Sequence, residues 1–352
     1  MTCVTTSTWS GERLRLARPH TYEEARGTAM RTWTVGDFKI SEIHELPAEL
    51  GLFDGLIPEA PREVVQTIDW MSPDYANEAG QILADLHCYV VDTGDQKILV
   101  DAGCGNGKSY PTQPVWSNLD TAFLERLSEA GYERDDIDLI LLTHVHLDHV
   151  GWCAVQDETG AWVPTFPNAR LVVVDAEWQR HLDLMLPDGG DAIAESATGA
   201  DDGEVDVIAR AFYADAETFS NQAKLVQKES LQPVVDAGLL ELVPSGAEVA
   251  PGVRYESTPG HTSAHHSVRL ESGGEQAFIT GDFIHHPMQI ARPEWSSAGD
   301  FDPEMSGRTR RAFFEASAGT DLLVLGTHFT GSGAGYIVED GDNYRLVQER
   351  PA

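Results

Sequence analysis

Cations are scarce in this 352-residue chain: 24 Lys and Arg stand against 57 Asp and Glu, a formal net charge of −33. Nucleic acids and anionic membrane surfaces are recognised through basic patches, so neither is expected as a partner. The simpler meaning of the acid excess is a strongly solvated surface. Cysteine is also sparse. Cys3, Cys88, Cys104 and Cys153 are scattered with no CxxC pair, which argues against a disulfide framework and for a reducing compartment. No stretch approaches the ~20 apolar residues that a membrane span needs. Residues 1–29 lack the sustained apolar core of a secretory signal, so the expected location is cytoplasmic. Those residues read as a tail, or as an arm packed on a neighbour, ahead of a single domain at 30–352.

What the chain does have is histidine in a telling order. The run Leu142-Thr143-His144-Val145-His146-Leu147-Asp148-His149-Val150-Gly151 follows Asp138-Leu139-Ile140-Leu141-Leu142, which reads as a buried strand. His144 and His146, two apart, point the same way only from an extended segment. Asp148 and His149 fall where a helix would start, with Asp148 able to cap it. One stretch can therefore serve two adjacent metal ions. Three later residues of the same chemistry each follow an apolar strand-like run: His261 after Thr258-Pro259-Gly260, Asp282 after Ala277 to Gly281, and His328 after Leu322 to Thr327. The run Asp321 to His328 is similar to Asp138 to His144, which suggests two like halves offering ligands from equivalent strands.

With these residues in place the chain resembles the metallo-β-lactamase superfamily. His144, His146, Asp148 and His149 match its HxHxDH signature, His261, Asp282 and His328 its later single positions, and Ile98-Leu99-Val100-Asp101 its opening motif. The resemblance runs from about residue 31 to 340. It implies a four-layer αβ/βα sandwich, with metals at one edge of the sheets. It also implies that His144, His146 and His261 bind one metal, that Asp148, His149 and His328 bind a second, and that Asp282 bridges them. A bridging aspartate argues against the true β-lactamases of this superfamily and favours lactonases, thioesterases and phosphoesterases. The acyl-homoserine lactonases carry a tyrosine three residues after it. Here that place is His285, which is more similar to the methyl parathion hydrolase branch of lactone and aryl ester hydrolases. His285 reads either as a catalytic group, donating a proton to the leaving group or a hydrogen bond to the carbonyl, or as a wall of the pocket. With few residues after His328, a C-terminal substrate domain like that of glyoxalase II is not expected.

Along the rest of the chain, Thr32 to Ile43 alternate around Gly36-Asp37 as a hairpin, and a second hairpin is expected over Gln81 to Val100. Between them, residues 47–80 carry Leu52, Phe53, Leu56, Ile57, Trp70 and Met71, which either line a substrate mouth or pack on the domain. Asp101 is expected to orient the metal loop by hydrogen bonds. Leu119 to Ala130 reads as a helix ended by Gly131. Residues 176–237 read as a helical insertion, including a long helix from Val205 to Lys228. The resemblance makes this insertion a lid, where Met185, Phe212, Tyr213 and Phe219 face either substrate or core. Leu239 to Val243, Val253 to Glu256, Ser267 to Leu270 and Ala277 to Thr280 read as strands of the second half. His265, His266 and His286 match no motif and are expected to support the site or the fold.

Five imidazoles and two carboxylates suit zinc and also tolerate iron, manganese or cobalt. Two such ions lower the pKa of a shared water, and a metal-bridging hydroxide is then the nucleophile, with no Ser or Cys required. The expected enzyme is a dinuclear metal hydrolase opening lactones or cleaving carboxylic esters, with Asp148 and His285 catalytic and phosphotriester hydrolysis as a side activity. The alternative of the same fold is a thioesterase or a mononuclear iron enzyme like persulfide dioxygenase. The expected partner is a small ester or lactone; the sequence leaves the oligomeric state open, and the resemblance to lactonases, which are often dimers, makes a homodimer one option.

Overall fold

The computed structural model describes residues 30–47, 55–111, 114–186 and 216–351. Its first sheet joins β1 (Thr32–Val35), β2 (Phe38–Pro47), β3 (Asp85–Asp92), β4 (Lys97–Val100), β5 (Leu139–Leu141), β8 (Arg170–Val174) and β9 (Leu240–Val243) in that order. β6 (Ala154–Gln156) and β7 (Trp162–Pro164) pair as a small separate ribbon. The second sheet runs β10 (Glu248–Ala250), β11 (Val253–Ser257), β12 (His266–Ser272), β13 (Glu275–Ile279), β14 (Leu323–Leu325), β15 (Ala334–Asp340) and β16 (Asn343–Val347). The helices are α1 (Arg62–Val65), α2 (Phe123–Glu129), α3 (Leu147–Val150), α4 (Asp175–Leu184), α5 (Ala216–Val226), α6 (Gln232–Asp236), α7 (Met288–Ala291) and α8 (Pro303–Ser317). A π-helical turn, Gln227–Leu231, joins α5 to α6.

Side-chain alternation along the strands builds the layers. In β3, β5 and β8, Tyr89, Val91, Leu139, Leu141, Val172 and Val174 point between the sheets, where they meet Val268, Leu270, Ala277, Ile279 and Leu325 of the other sheet. Their neighbours Cys88, Val90, Ile140, Leu171 and Val173 point outward, under Phe123 and Leu127 of α2, Trp178 of α4 and Val234 of α6. On the far side Phe278 and Val324 pack under Met288 and Ile290 of α7 and Phe313 and Phe314 of α8. The result is an αβ/βα sandwich in four layers. Both faces of the central strands are covered, which is why they read as continuous apolar runs.

Most elements fall where the sequence puts them, with four differences. β9 pairs in parallel with β8 and closes the first sheet, so Leu239 to Val243 does not belong to the second half. Asp148 does not cap α3: it sits within the first turn, and the cap position is His146. The second hairpin begins its strand only at Asp85, and α2 is shorter than Leu119 to Ala130. Within 47–80, Leu56, Ile57 and Met71 are buried against Phe283, Ile284 and Met288, so for these residues packing on the domain wins over a substrate mouth. Leu52, Phe53, Phe212 and Tyr213 lie outside the described residues, as do 205–215 of the long helix. Among the described residues, no helix is long and apolar enough to cross a membrane.

The π turn is held by a buried lysine. Lys108 is fully buried; its Nζ donates to the carbonyls of Ala154 (2.8 Å) and Glu229 (2.5 Å) and lies 3.7 Å from the centre of the Trp162 ring. Burial pushes its pKa down to about 7, against about 10.4 in an unfolded chain. The folded protein thus releases this proton near pH 7 while the unfolded chain keeps it. Stability therefore rises with pH between these values, and below them the contribution of this lysine no longer changes with pH. In urea denaturation the unfolding free energy of the parent protein, taken relative to Lys108→Met, should rise by about 2 kcal/mol from pH 7 to 9. A flat difference would show that Lys108 keeps its charge.

Candidate metal centre

Parallel pairing sets the location of the site. β4 and β5 run parallel in one sheet, and β13 and β14 run parallel in the other. Thr143 to His149 leave the end of β5, Asp282 follows β13, His328 follows β14, and His261 lies in the turn between β11 and β12. Five of the seven sequence-predicted ligands are buried, while His146 and Asp148, the latter with 22% of its side chain exposed, are half-buried.

The side chains converge as two adjacent sets. One nitrogen each from His144, His146 and His261 lie within 4.8 Å of one another, as do ligand atoms of Asp148, His149, Asp282 and His328. Asp282 faces both sets. Its Oδ2 is 3.8 Å from His144 Nε2, 3.5 Å from His261 Nε2 and 3.3 Å from His149 Nε2, while Oδ1 is 3.0 Å from His328 Nε2. His285 is also brought in, with Nε2 3.4 Å from Asp282 Oδ2, and it forms a third grouping with His261 and Asp282.

The hydrogen bonds of the outward nitrogens fix the tautomers. His149 Nδ1 donates to Asp101 Oδ2 (2.9 Å), His261 Nδ1 to Asp300 Oδ1 (3.0 Å) and His328 Nδ1 to the Asp85 carbonyl (3.1 Å). The Thr143 hydroxyl donates to Asp101 Oδ2 (2.9 Å), so it accepts from His144 Nδ1 (3.1 Å). Four histidines are thereby left with bare Nε2 atoms aimed inward. His144 Nε2 and His261 Nε2 sit 2.9 and 3.0 Å from His146 Nδ1, and a single Nδ1 proton cannot satisfy both. His149 Nε2 and Asp282 Oδ1 are buried without a hydrogen-bond partner. Converging lone pairs without protons repel unless a cation lies between them. The N···N separations are close to the roughly 3.3 Å edge of a tetrahedron with Zn–N bonds of ~2.05 Å. The residues present fit a pair of divalent ions.

A family model described as the metallo-β-lactamase superfamily matches residues 86–163. The chain carries a metallo-β-lactamase superfamily domain. N-acyl homoserine lactonase of Bacillus thuringiensis is 25% identical over 252 residues, covering 68% of this chain and 79% of that one. A shorter match, 33% over 95 residues, spans only 13% of transcription termination factor FttA of Cenarchaeum symbiosum. Among solved structures, the hydrolase AbOPH of the β-lactamase superfamily superposes with a TM-score of 0.72 at 21% identity, covering 92% of this chain and 98% of that one. The dizinc quorum-quenching lactonase AidC does so at 0.67 and 20% identity, covering 91% and 97%. At these identities the structural matches speak for the fold.

Around the ligands of this superfamily domain stand supports that the sequence reading anticipates only in part. Asp101 does orient the metal loop: it accepts from the Thr143 amide (2.8 Å), the Thr143 hydroxyl and His149. It holds φ +59, a costly conformation for a non-glycine residue, and buried Glu45 braces the turn after it by accepting from the amides of Cys104 (2.7 Å) and Gly105 (3.1 Å). His265 accepts from the Asp282 amide at Nε2 (2.9 Å), and its Nδ1 contacts the Thr258 hydroxyl (2.8 Å). His266 bonds Ser245 and the Ala264 carbonyl, and His286 bonds the Tyr75 carbonyl, so these two serve the fold. Glu45, Glu177, Asp300 and Arg310 carry no motif in the sequence. Asp300 lies 39 positions from the histidine it bonds, and its own charge meets Arg310 (3.5 Å). Burial alone would raise the Asp300 carboxyl, but His261 and Arg310 hold it well below the usual carboxylate range.

Proposed function

We propose that this protein is a dinuclear metal hydrolase that opens lactones or cleaves other carboxylic esters. The observation carrying the proposal is Asp282, whose two oxygens stand between two complete ligand sets. His144, His146 and His261 would hold one ion, Asp148, His149 and His328 the other, and Asp282 both. Zinc suits this donor set best. When bound, such a pair supplies an activated water at neutral pH and a Lewis acid for the substrate carbonyl.

The chain's own groups account for the rest of the reaction. Water adds to the acyl carbon and the acyl C–O bond breaks, giving an acid and an alcohol, which in a lactone remain one molecule. Asp148 keeps 22% of its side chain exposed and would orient the attacking water. His285 is buried beside Asp282, its ring 4.6 Å from that of His261 and stacked at 6.2 Å over that of His328. It would donate a proton to the leaving alkoxide. The kinship with a lactonase over two thirds of the chain supports the substrate class, and the presence of histidine at 285 supports a wider range that includes aryl esters and phosphotriesters as side substrates. The second ligand set speaks against a mononuclear iron enzyme.

Metal-stripped protein should be inert, and two equivalents of zinc should restore opening of simple lactones or cleavage of aryl esters. His285→Phe should keep both ions and lose about 10²-fold in kcat. No turnover of either substrate class, or a single iron accompanied by oxygen uptake, would overturn the reading.

A further inference from the structure

The backbone of Val145, the residue between two of the candidate ligands, is gripped from outside the strand that delivers it. Its amide donates to Glu177 Oε1 (2.9 Å), and its carbonyl accepts from Arg180 Nη2 (3.4 Å). The other oxygen of Glu177 accepts from the hydroxyl of Thr262 (2.7 Å), the residue after His261. Arg180 closes on the same carboxylate, with Nη2 2.7 Å from Oε1 and Nε 3.0 Å from each oxygen. Glu177 is buried, and every hydrogen-bond partner it has is a donor, so the group is required as a carboxylate with two accepting oxygens. His144, His146 and His261 come from loops more than a hundred residues apart, and this one side chain bonds to both loops.

Glu177 also belongs to the first turn of α4, the helix that opens the insertion. Further along, α4 is tied to the rest of the insertion by His181 to Gln227 (3.1 Å) and by the Ser220 hydroxyl to the Met185 carbonyl (3.2 Å). We propose that Glu177, with Arg180, is a positioning residue that assembles the His144, His146 and His261 set and couples its occupancy to the order of α4. The proposal rests on the reading of these residues as a metal site. Whatever sharpens the geometry of the set is felt by α4, and by linkage whatever orders α4 tightens the set.

The test is zinc titration of metal-stripped protein together with amide hydrogen exchange. Parent protein should take up two equivalents, and α4 amides should exchange several-fold more slowly once the first set fills. Glu177→Gln puts an NH2 group where either Val145 or Thr262 now meets an accepting oxygen, and leaves Arg180 without its counter-charge. It should weaken one of the two equivalents by 10- to 100-fold, leave the other unchanged, and abolish the response of α4. His261→Ala and His328→Ala serve as markers of which set is affected, and the Glu177→Gln titration should match that of His261→Ala. If Glu177→Gln does not fold, Thr262→Val, which removes one donor and keeps the carboxylate, should show the same selective weakening at a smaller size. Equal affinities at both sets in the variant, equal weakening of both, or α4 exchange indifferent to metal in the parent would overturn the proposal. Failure of the parent protein to bind zinc at all would instead remove the metal reading beneath it.

Discussion

Asp282→Asn will fold, hold at most one metal ion after dialysis, and hydrolyse lactones roughly 10³-fold more slowly than the parent protein. The substitution keeps the shape of the side chain and removes its charge. Folding is expected to survive because the main chain at this position is held independently, by the Asp282 amide donating to His265 Nε2. What is lost is the charge shared between two groups of imidazoles. Burial alone would lower His328, but Asp282 holds it above its ordinary value, and the same carboxylate is the first of the groups that raise His149 against burial. An amide has one accepting oxygen and one NH2, so one ligand set must face a donor where it now faces an acceptor. Metal analysis of dialysed protein and kcat/KM on one lactone measure both effects. Two retained ions with undiminished turnover would refute a shared role for Asp282.

Gly151→Ala should be more damaging still, to the fold as well as the site. Gly151 has ordinary right-handed dihedrals, φ −59 and ψ −45, so backbone strain is not the reason for a glycine. The reason is proximity: an added Cβ would lie 1.8 Å from the carbonyl oxygen of Cys104 and 1.9 Å from its carbon. Both partners are backbone and cannot swing aside. The close approach is enforced by hydrogen bonds in both directions, Gly151 amide to Gly103 carbonyl (2.6 Å), Trp152 amide to Ala102 carbonyl (2.6 Å) and Ala102 amide to His149 carbonyl (2.7 Å). These bonds dock α3, with Asp148 and His149, onto the loop that presents Asp101. Prying the segments apart should cost on the order of 4 kcal/mol or more, among the largest effects of single substitutions. Gly160→Ala is the control. It has φ +82 but open space around the new Cβ, and should cost only about 1 kcal/mol. Urea midpoints for the two variants compare them directly, and equal losses would show that the Gly151 contact is not limiting.

Much of the centre could be read before any coordinates because its donors are concentrated. His144, His146, Asp148 and His149 share one strand end, and a local pattern of that density has few other uses. The continuous apolar run Leu139 to Leu142 was equally local, so the central strand was legible too, while its split into two buried faces, Ile140 on one and Leu139 and Leu141 on the other, came with the packing. β9 was misplaced because a strand's sheet is decided by its partner, and Leu240 to Val243 carry no mark of pairing with β8. The supports were hidden for the same reason. Nothing near Glu177, Asp300 or Glu45 in sequence distinguishes them from the other acidic residues of a chain with 57. Their meaning comes from donors tens of positions away.

The sequence by itself determined which residues carry ligand chemistry and at which strand ends they emerge, since side-chain chemistry and strand patterning are properties of residues and their near neighbours. Only the tertiary structure decided that Asp282 stands between two sets, that His285 joins them, and that buried carboxylates from remote segments aim the imidazoles. Hydrogen-bond partnership and close approach are relations in space, and the chain order does not encode them locally.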